Sequence, residues 1–397
     1  MPALPRRPLY TLLAACLAPL TALLAGPALA QAPTQGVSKT EILIATIQDL
    51  SGPVAAYGKA ARNGLQLRVD EINEQGGIHG RKIKLLVEDN AYDPKRAVLA
   101  TQKLVNQDKV FLIAAHIGTP MNNASMPVMF EKNVINFMPL SAGREMFEPV
   151  HKLKFASVAS YHDTMRMNVA KLYKEKAAKN ACTLYQDDDY GLEVVRGAEA
   201  GLKDIGVAMG EKTTYKRGAT DFSSQIARLK ASGCDFLVLG TIVRETIGAI
   251  GEARKTGWAP TIVGSQASYT DLIHKLGGKA MDGYYAVSTQ HFPYTDLDNQ
   301  PRRFWANKYK TRFGDDPSTY STGGYSTMDI FIKAALKAGP NLTTDSFIKA
   351  METMGEVPTD IFGTPPLTFT ASKRLGSNLS RLSQLQDGRW KVVTELR

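Results

Sequence analysis

A threonine at residue 119 offers the clearest chemistry in this sequence. Thr119 follows the apolar run 110–115, which predicts a buried strand, and it opens a segment that predicts a helix. The first amide groups of a helix have no partners within the helix, so a hydroxyl beside them suits a carboxylate. The alternative is a threonine that only caps the helix. The sequence therefore predicts a carboxylate site at this strand end, with simple capping left open.

Motifs typical of enzymes are weak in this chain. Asp187-Asp-Asp189 contains the Asp-x-Asp pattern of metal-dependent glycosyltransferases, but a short acidic run at a strand end is more often a solvated loop. The histidines show no metal-ligand spacing such as H-E-x-x-H, and neither a Walker loop nor G-x-S-x-G occurs. We therefore expect a protein that is not an enzyme and that uses no metal and no cofactor.

A strand–helix–strand unit near the N-terminus must position such a site. Residues 41–48 form an apolar run typical of a buried strand, and apolar residues over 61–72 repeat with the spacing of one helix face. A second strand is predicted at 82–88. This order predicts a right-handed unit of a parallel sheet, in which ligands bind at the carboxyl ends of the strands. Those ends are the loops 49–57 and 89–94.

Predicted strands and helices alternate along most of the chain, which indicates an α/β fold. The pattern restarts near 155–161 and gives a second copy of the same architecture without an obvious sequence repeat. We expect two Rossmann-like, doubly wound lobes.

The first 30 residues differ in composition from the rest. Two arginines precede an apolar run from about Leu9 to Leu24, and small residues follow at 28–30. This pattern predicts a signal peptide over residues 1–30, removed before Gln31, and hence export to the periplasm. Processing as a lipoprotein at Cys16 is the alternative. No later stretch reaches the roughly 18 apolar residues of a membrane span.

The net charge of +10 gives little information about partners. Lysine and arginine are spread along the chain between aspartate and glutamate, and no block of five or six like charges occurs. No nucleic-acid-binding motif accompanies the positive charge. We therefore expect a basic, soluble surface on a monomer, with no nucleic-acid partner.

Two cysteines, Cys182 and Cys234, remain once the predicted signal peptide is removed. Both lie early in strands that should be neighbours in the second lobe. Two buried thiols are the expectation, and a disulfide between them is the alternative that export permits.

Three motifs resemble one known family. Residues 49–58 (DLSGPVAAYG), 70–80 (DEINEQGGIHG) and 89–97 resemble, in order and spacing, the periplasmic leucine/isoleucine/valine-binding proteins of ABC transporters. The resemblance implies a two-lobed clamp that holds a solute in its cleft and has a membrane permease as its partner. In the resembled fold the chain crosses between the lobes three times. The first lobe would then contain residues 36–157 and 291–357, and the second lobe residues 158–290 and 358–397. The usual disulfide of these proteins would join the loops at Tyr92 and Gly118, and this chain lacks its cysteines.

The resemblance also implies a carboxylate site. Thr119 occupies the position of a carboxylate-binding serine, and Ser141 and Ala142 lie on the next strand-end loop. In the family this loop supplies amides and a hydroxyl, and Ala142 stands where a threonine is usual. Ser141 would then supply the hydroxyl, or it would only cap a turn.

Tyrosines are expected to line the cleft as well. Tyr190 in Asp-Tyr-Gly matches the tyrosine that covers the ligand in the family, with an exposed turn tyrosine as the alternative. Tyr57 and Tyr161 are cleft candidates on similar grounds, and Tyr320 has weaker support.

Gln266 is the main departure from the family. Its loop aligns with the one where amino-acid binders usually carry a glutamate for the ligand's ammonium group. A neutral amide gives up roughly half the strength of a charge-assisted hydrogen bond. Nearby, Arg244 lies in a stretch that is rich in aromatic residues in the family. These two residues favour an aromatic or aliphatic carboxylate as the ligand, with an apolar amino acid as the alternative.

Together these features predict a periplasmic solute-binding protein of an ABC transporter. It would capture a small carboxylate-bearing ligand between two lobes and deliver it to membrane permease subunits. The ligand would be a branched-chain or other hydrophobic amino acid, or an aromatic or aliphatic organic acid. The alternative function is a ligand sensor on the same fold that acts through a separate signalling partner.

Overall fold

The first sheet has five parallel strands. The computed structural model describes residues 1–4 and 34–396. The strands are β1 (Glu41–Gln48), β2 (Lys82–Asp89), β3 (Leu112–Ala114), β4 (Ile135–Phe137) and β5 (Lys154–Phe155). Their order is β2-β1-β3-β4-β5. The inner strands β3 and β4 are apolar and fully buried because helices cover both faces of the sheet.

The second sheet has seven strands. They are β6 (Ala181–Gln186), β7 (Lys212–Tyr215), β8 (Phe236–Gly240), β9 (Thr261–Gly264), β10 (Tyr285–Ser288), β11 (Arg381–Gln386) and β12 (Arg389–Thr394). Their order is β12-β11-β10-β9-β8-β6-β7. Strands β6 to β10 pair in parallel, and the C-terminal hairpin β11–β12 adds antiparallel strands at one edge. The expected α/β fold with two Rossmann-like lobes is therefore confirmed.

Eleven α-helices occur in the described part of the chain, and most follow a strand directly. They are α1 (Ala55–Glu74), α2 (Pro94–Gln102), α3 (Thr119–Glu131), α4 (Tyr161–Glu175), α5 (Asp189–Asp204), α6 (Ser223–Ala231), α7 (Val243–Lys255), α8 (Leu272–Gly277), α9 (Gln300–Phe313), α10 (Thr319–Ala338) and α11 (Thr344–Thr353). The strand-end loops before α1, α3, α5 and α7 all open toward the space between the lobes, where their residues share cavities.

The core of the first lobe joins early and late parts of the chain. Phe111 and Phe137 belong to the first sheet, and Phe331 and Phe347 belong to α10 and α11. Their ring centroids lie 5.3–6.3 Å apart, in mostly edge-to-face arrangements that aromatic pairs prefer. Helix α10 also packs tightly on α1, since a Cβ atom on Gly64 would lie 1.9 Å from a backbone oxygen of α10.

The chain crosses between the lobes three times, and the third crossing lies later than the sequence predicts. Residues 358–376 were expected in the second lobe, but they contact the first. Leu375 forms a β-bridge with Ala156, and the ring of Phe369 lies 5.6 Å from that of Phe155. The apolar side chains of this segment complete the first core, so the crossing falls just before β11.

Cys182 and Cys234 form a disulfide, which corrects the expectation of two free thiols. Strands β6 and β8 are direct neighbours, and their pairing brings the two Cα atoms to 5.9 Å, within the range that a disulfide spans. Both cysteines are buried.

Two N-terminal predictions lie outside the described residues, namely the signal peptide and the alternative lipoprotein site at Cys16. Among the described residues, no helix combines the length and the apolar character needed to span a membrane.

Candidate ligand-binding site

Two adjoining cavities of about 20 and 80 Å³ lie between the lobes, at the carboxyl ends of both sheets. They share four lining residues, which are Leu140, Tyr161, Ala267 and Tyr320. Seven of the eight candidate site residues line one or both cavities, namely Tyr57, Thr119, Ser141, Ala142, Tyr161, Tyr190 and Gln266. The structure therefore brings these residues together around one site, and their roles toward a ligand remain a prediction.

A pair of buried hydroxyl groups links the two cavities: Thr119, at the start of α3, lines the smaller one, and Ser141, on the loop after β4, lines the larger one. The Oγ1 atom of Thr119 and the Oγ atom of Ser141 are 2.8 Å apart, and both residues are almost fully buried. Gly118 precedes the helix with a φ of +91°, a conformation that favours glycine. Pro120 has no N–H group, so the amides of Thr119 and Met121 are the ones that the start of α3 can offer beside the cavity lined by Gly118 and Thr119. Hydroxyls and free helix amides together can bind a carboxylate without a cationic side chain.

Two stacked tyrosines of the first lobe reach the second lobe. The rings of Tyr57 and Tyr320 are 3.8 Å apart. Both hydroxyls donate to the carbonyl oxygen of Ala267, at 2.9 Å and 3.2 Å respectively. Burial raises the pKa of both tyrosines well above the ordinary value, so these hydroxyls stay protonated and remain donors. This shared carbonyl joins the lobes directly at the site.

A second tyrosine pair forms the opposite wall. The rings of Tyr161 and Tyr190 meet edge to face at 5.0 Å. The Tyr190 hydroxyl donates to the carbonyl of Thr241 at 2.9 Å, and Ser265 lies at the same distance as a donor. These bonds fix Tyr190 within the second lobe, so its ring edge remains available to the cavity while its hydroxyl is satisfied.

Gln266 is held by the crossing segment and α4. Its Nε2 group donates to the carbonyl of Ala159 at 2.8 Å, and its Oε1 atom accepts a long hydrogen bond of 3.4 Å from Thr164. The side chain thus lines the larger cavity with one of its N–H groups bonded to Ala159. These two hydrogen bonds fix the orientation of the amide.

Arg244 does not belong to the site. It is exposed on the first turn of α7 and lines neither cavity. The neighbouring residues Val243 and Glu245 are buried, because the helix turns its apolar face to the sheet and leaves Arg244 on the outer side. The structure therefore does not bring Arg244 together with the other seven candidates, and its contribution to ligand binding stays a prediction.

Sequence reasoning missed a different arginine and a fifth tyrosine at the cleft. Tyr92 lines the smaller cavity, and Arg217 donates to its carbonyl oxygen at 3.3 Å and lies over its ring. Arg217 comes from the second lobe and also approaches Asp188 at 3.8 Å. Tyr92 lies in the strand-end loop 89–94, which was predicted to face the cleft, so the position of that loop was the available signal.

Charged groups also join the lobes beside the site. Arg144 of the first lobe donates to Asp163 of the second at 2.7 Å. The carboxylate of Glu193 on α5 accepts from the backbone amide of Arg144. Burial, followed by the charge of Glu145, raises the pKa of Glu193, while Arg144 and His162 act in the opposite direction. One oxygen of Glu193 and one of Glu145 are buried without a partner.

The acidic run 187–189 is occupied by structural contacts. Asp187 pairs with Lys216, and Asp188 accepts from the amides at the start of α5. Asp189 accepts from Asn123 of the first lobe at 2.9 Å. Among the described residues, no three metal-binding side chains converge.

The sequence matches the family described as "Periplasmic binding protein" over residues 41–389. The chain belongs to this family. Among its relatives is the leucine-, isoleucine-, valine-, threonine- and alanine-binding protein of Pseudomonas aeruginosa, which is 24% identical over 326 residues that cover 81% of this chain and 84% of the relative. The Leu/Ile/Val-binding protein of Escherichia coli is 26% identical over 253 residues, covering 64% and 68%. The resemblance seen in the sequence motifs is therefore confirmed.

Solved structures of family members share the fold. A fatty acid ABC transporter substrate-binding protein from Thermomonospora curvata has a TM-score of 0.83 at 24% identity, covering 92% of this chain and 94% of its own. A branched-chain amino acid ABC transporter protein from Thermus thermophilus with bound valine has a TM-score of 0.80 at 17% identity, covering 91% and 97%. Relatives of this family are solute-binding proteins rather than enzymes, and the family name implies a location outside the cytoplasm.

Proposed function

We propose that this protein is the periplasmic solute-binding component of an ABC transporter and that its ligand is a small carboxylate. The ligand is a hydrophobic amino acid or an aromatic or aliphatic organic acid. The observation that carries the proposal is the buried Thr119–Ser141 hydroxyl pair, whose members come from two neighbouring strand-end loops and line the two adjoining interlobe cavities. Membership of the family supports the transport role.

The ligand's carboxylate binds first to the first lobe. Thr119, Ser141 and the free amides of α3 all belong to that lobe. Together they supply hydrogen-bond donors for an anion. The second lobe then closes, and the carbonyl of Ala267 meets the hydroxyls of Tyr57 and Tyr320. The ligand shifts the population toward the closed form, and the permease subunits recognise that form.

The small volume of the cavities supports this order of events. Spaces of about 20 and 80 Å³ within a closed cleft have room for several waters. A solute of the size of leucine therefore enters while the lobes are apart, and the side chains around the two cavities settle on it as they close.

Calorimetric titration of the ligand-stripped exported protein tests the proposal. Thr119→Ala should weaken binding of a carboxylate solute by about 10-fold or more, since a hydrogen bond to a charged group contributes ~1.5–3 kcal/mol. Thr343→Ala is the matched control, because Thr343 caps α11 away from the cleft and its loss should lower stability without changing affinity. Equal affinities of wild type and Thr119→Ala would contradict the site.

Uptake measurements separate transport from sensing. Deleting the gene should abolish uptake of the ligand at low concentration, and the permease should copurify with the ligand-bound form. Normal uptake with loss of a transcriptional response to the ligand would instead indicate the sensor alternative.

A further inference from the structure

We infer that the ligand carries a carboxylate but no ammonium group, so that everything beyond its carboxylate is uncharged. This inference rests on the proposed function and narrows the ligand to an aliphatic or aryl monocarboxylic acid. It comes from the charges and hydrogen bonds around the two cavities.

The walls of both cavities contain no ionisable acid or base other than tyrosine among the residues that the structure describes. An ammonium group enclosed between the lobes would lose its water and gain no anionic partner. Burial of an unpaired charge is strongly unfavourable, whereas an apolar body gains from the same enclosure. The site is therefore suited to a ligand with one charge, located at the helix amides.

Three carbonyl groups around the cavities already accept hydrogen bonds from the protein. Ala267 accepts from two tyrosine hydroxyls, and Thr241 accepts from Tyr190. The carbonyl of Ala142 accepts from the amide of Tyr161 at 2.8 Å. An ammonium group has three donors, and this wall offers it few free acceptors.

Gln266 also fails to replace a carboxylate. One N–H of its amide donates to the carbonyl of Ala159, and its only acceptor is a neutral oxygen with a long hydrogen bond from Thr164. One neutral acceptor gives much less than an ion pair with additional hydrogen bonds. The side chain is also oriented by the crossing segment, so it cannot turn to present its oxygen without losing the bond to Ala159.

Glu245 is the buried acid that could weaken this conclusion. It is 2% exposed, and its Oε2 atom has no partner. It nevertheless lies behind the wall, on the first turn of α7, and lines neither cavity. Burial raises the pKa of Glu245, which favours the neutral form of this acid.

The larger cavity indicates what the far end of the ligand meets. It is lined by uncharged hydrogen-bonding side chains from the crossings, including Ser288, Thr289 and Gln290, next to the rings of Tyr161 and Tyr320. Such a surface accepts a hydrocarbon chain or ring and tolerates a hydroxyl or carbonyl group on it. It offers no counter-ion for a second charge.

Pairs of ligands that differ only by the amino group test the inference. Calorimetry compares leucine with 4-methylpentanoate and phenylalanine with 3-phenylpropanoate. We expect the acid of the best pair to bind about 10- to 100-fold more tightly than its amino acid. Gln266→Glu should reduce or reverse this preference, while Gln225→Glu, the same change on an exposed helix of the second lobe, should leave it unchanged.

The outcomes distinguish this inference from the proposed function. Tighter binding of the amino acid by the wild type would overturn the inference and leave a carboxylate-binding transport protein. Loss of amino-acid binding in Glu245→Gln would likewise overturn it, because Glu245 would then receive the ammonium group. Binding of an uncharged solute, with no affinity for any carboxylate, would remove both the proposed ligand class and the inference. The wild-type comparison decides even if a variant fails to fold.

Discussion

The contribution of the Ala267 carbonyl to closure of the cleft can be measured, because two tyrosine hydroxyls donate to it. Tyr57→Phe and Tyr320→Phe each remove one hydroxyl and keep the ring, so the stack at 3.8 Å is preserved. In either single variant the carbonyl retains one donor, at 3.2 or 2.9 Å. In the double variant this oxygen, in a residue only 7% exposed, loses both.

The expected magnitudes follow from this arrangement. Each single variant should lose ~0.5–1.5 kcal/mol of ligand-binding free energy, or about 2- to 12-fold in Kd. The double variant leaves a buried acceptor unsatisfied, which costs a further ~1–3 kcal/mol that neither single variant shows. The same carbonyl is solvated when the lobes are apart, so the penalty appears in closure and therefore in affinity.

Calorimetry on the four proteins gives this double-mutant cycle. Tyr325→Phe is the control, because Tyr325 lies on the same helix but donates to Glu71 within the first lobe, at 2.7 Å. It should lower the melting temperature and leave Kd unchanged. A double variant no weaker than the product of the two single effects would refute the view that one carbonyl joins the lobes.

Three further predictions concern pH, the Arg217 contact and the disulfide. The ratio of wild-type to Glu193→Gln affinity should fall as pH rises above 4.5, the ordinary pKa of glutamate, because the raised pKa of Glu193 belongs to the closed contact. Calorimetry across pH measures this ratio, in which the titration of the ligand's own carboxylate cancels, and a ratio that increases with pH would contradict the prediction. Arg217→Ala should speed ligand release by about 2- to 10-fold in stopped-flow measurements, since it removes the contact with the Tyr92 carbonyl, whereas the exposed Arg228→Ala should not. Replacing Cys182 and Cys234 by alanine should lower the free energy of unfolding by ~2–4 kcal/mol in denaturant titrations, because the disulfide closes a 52-residue loop inside the second lobe. The Kd for the ligand should not change, and an unchanged unfolding midpoint would contradict the prediction.

Much of the fold could be predicted because its strands are continuous apolar runs. Strands β1 and β8 are buried on nearly every residue, which leaves a pattern visible in the sequence alone. The start of α10 was less visible. The helix begins at Thr319, where the Ser321 hydroxyl accepts from the Ser318 amide at 2.9 Å, a contact that apolar periodicity does not reveal.

The candidate site could be predicted where it depends on strand ends and not where it depends on side-chain direction. Thr119 and Ser141 follow adjacent strands, so topology alone places them together. Arg244 lies apart from the other candidates because the rotation of α7 is set by the packing of its buried neighbours. Arg217 and Tyr92 meet across the cleft, and contacts between distant loops leave no local signal in the chain.

The discontinuous core of the first lobe also determines when this protein can fold. A chain is synthesised from its N-terminus, so Phe111 and Phe137 emerge long before Phe331 and Phe347. Until residue 347 is present, the first sheet lacks the helices that bury one of its faces. The first lobe therefore cannot complete itself early in synthesis, and most of the chain is made before a stable first lobe exists. A secretion pathway that accepts only unfolded chains would thus receive this chain before its first lobe has folded.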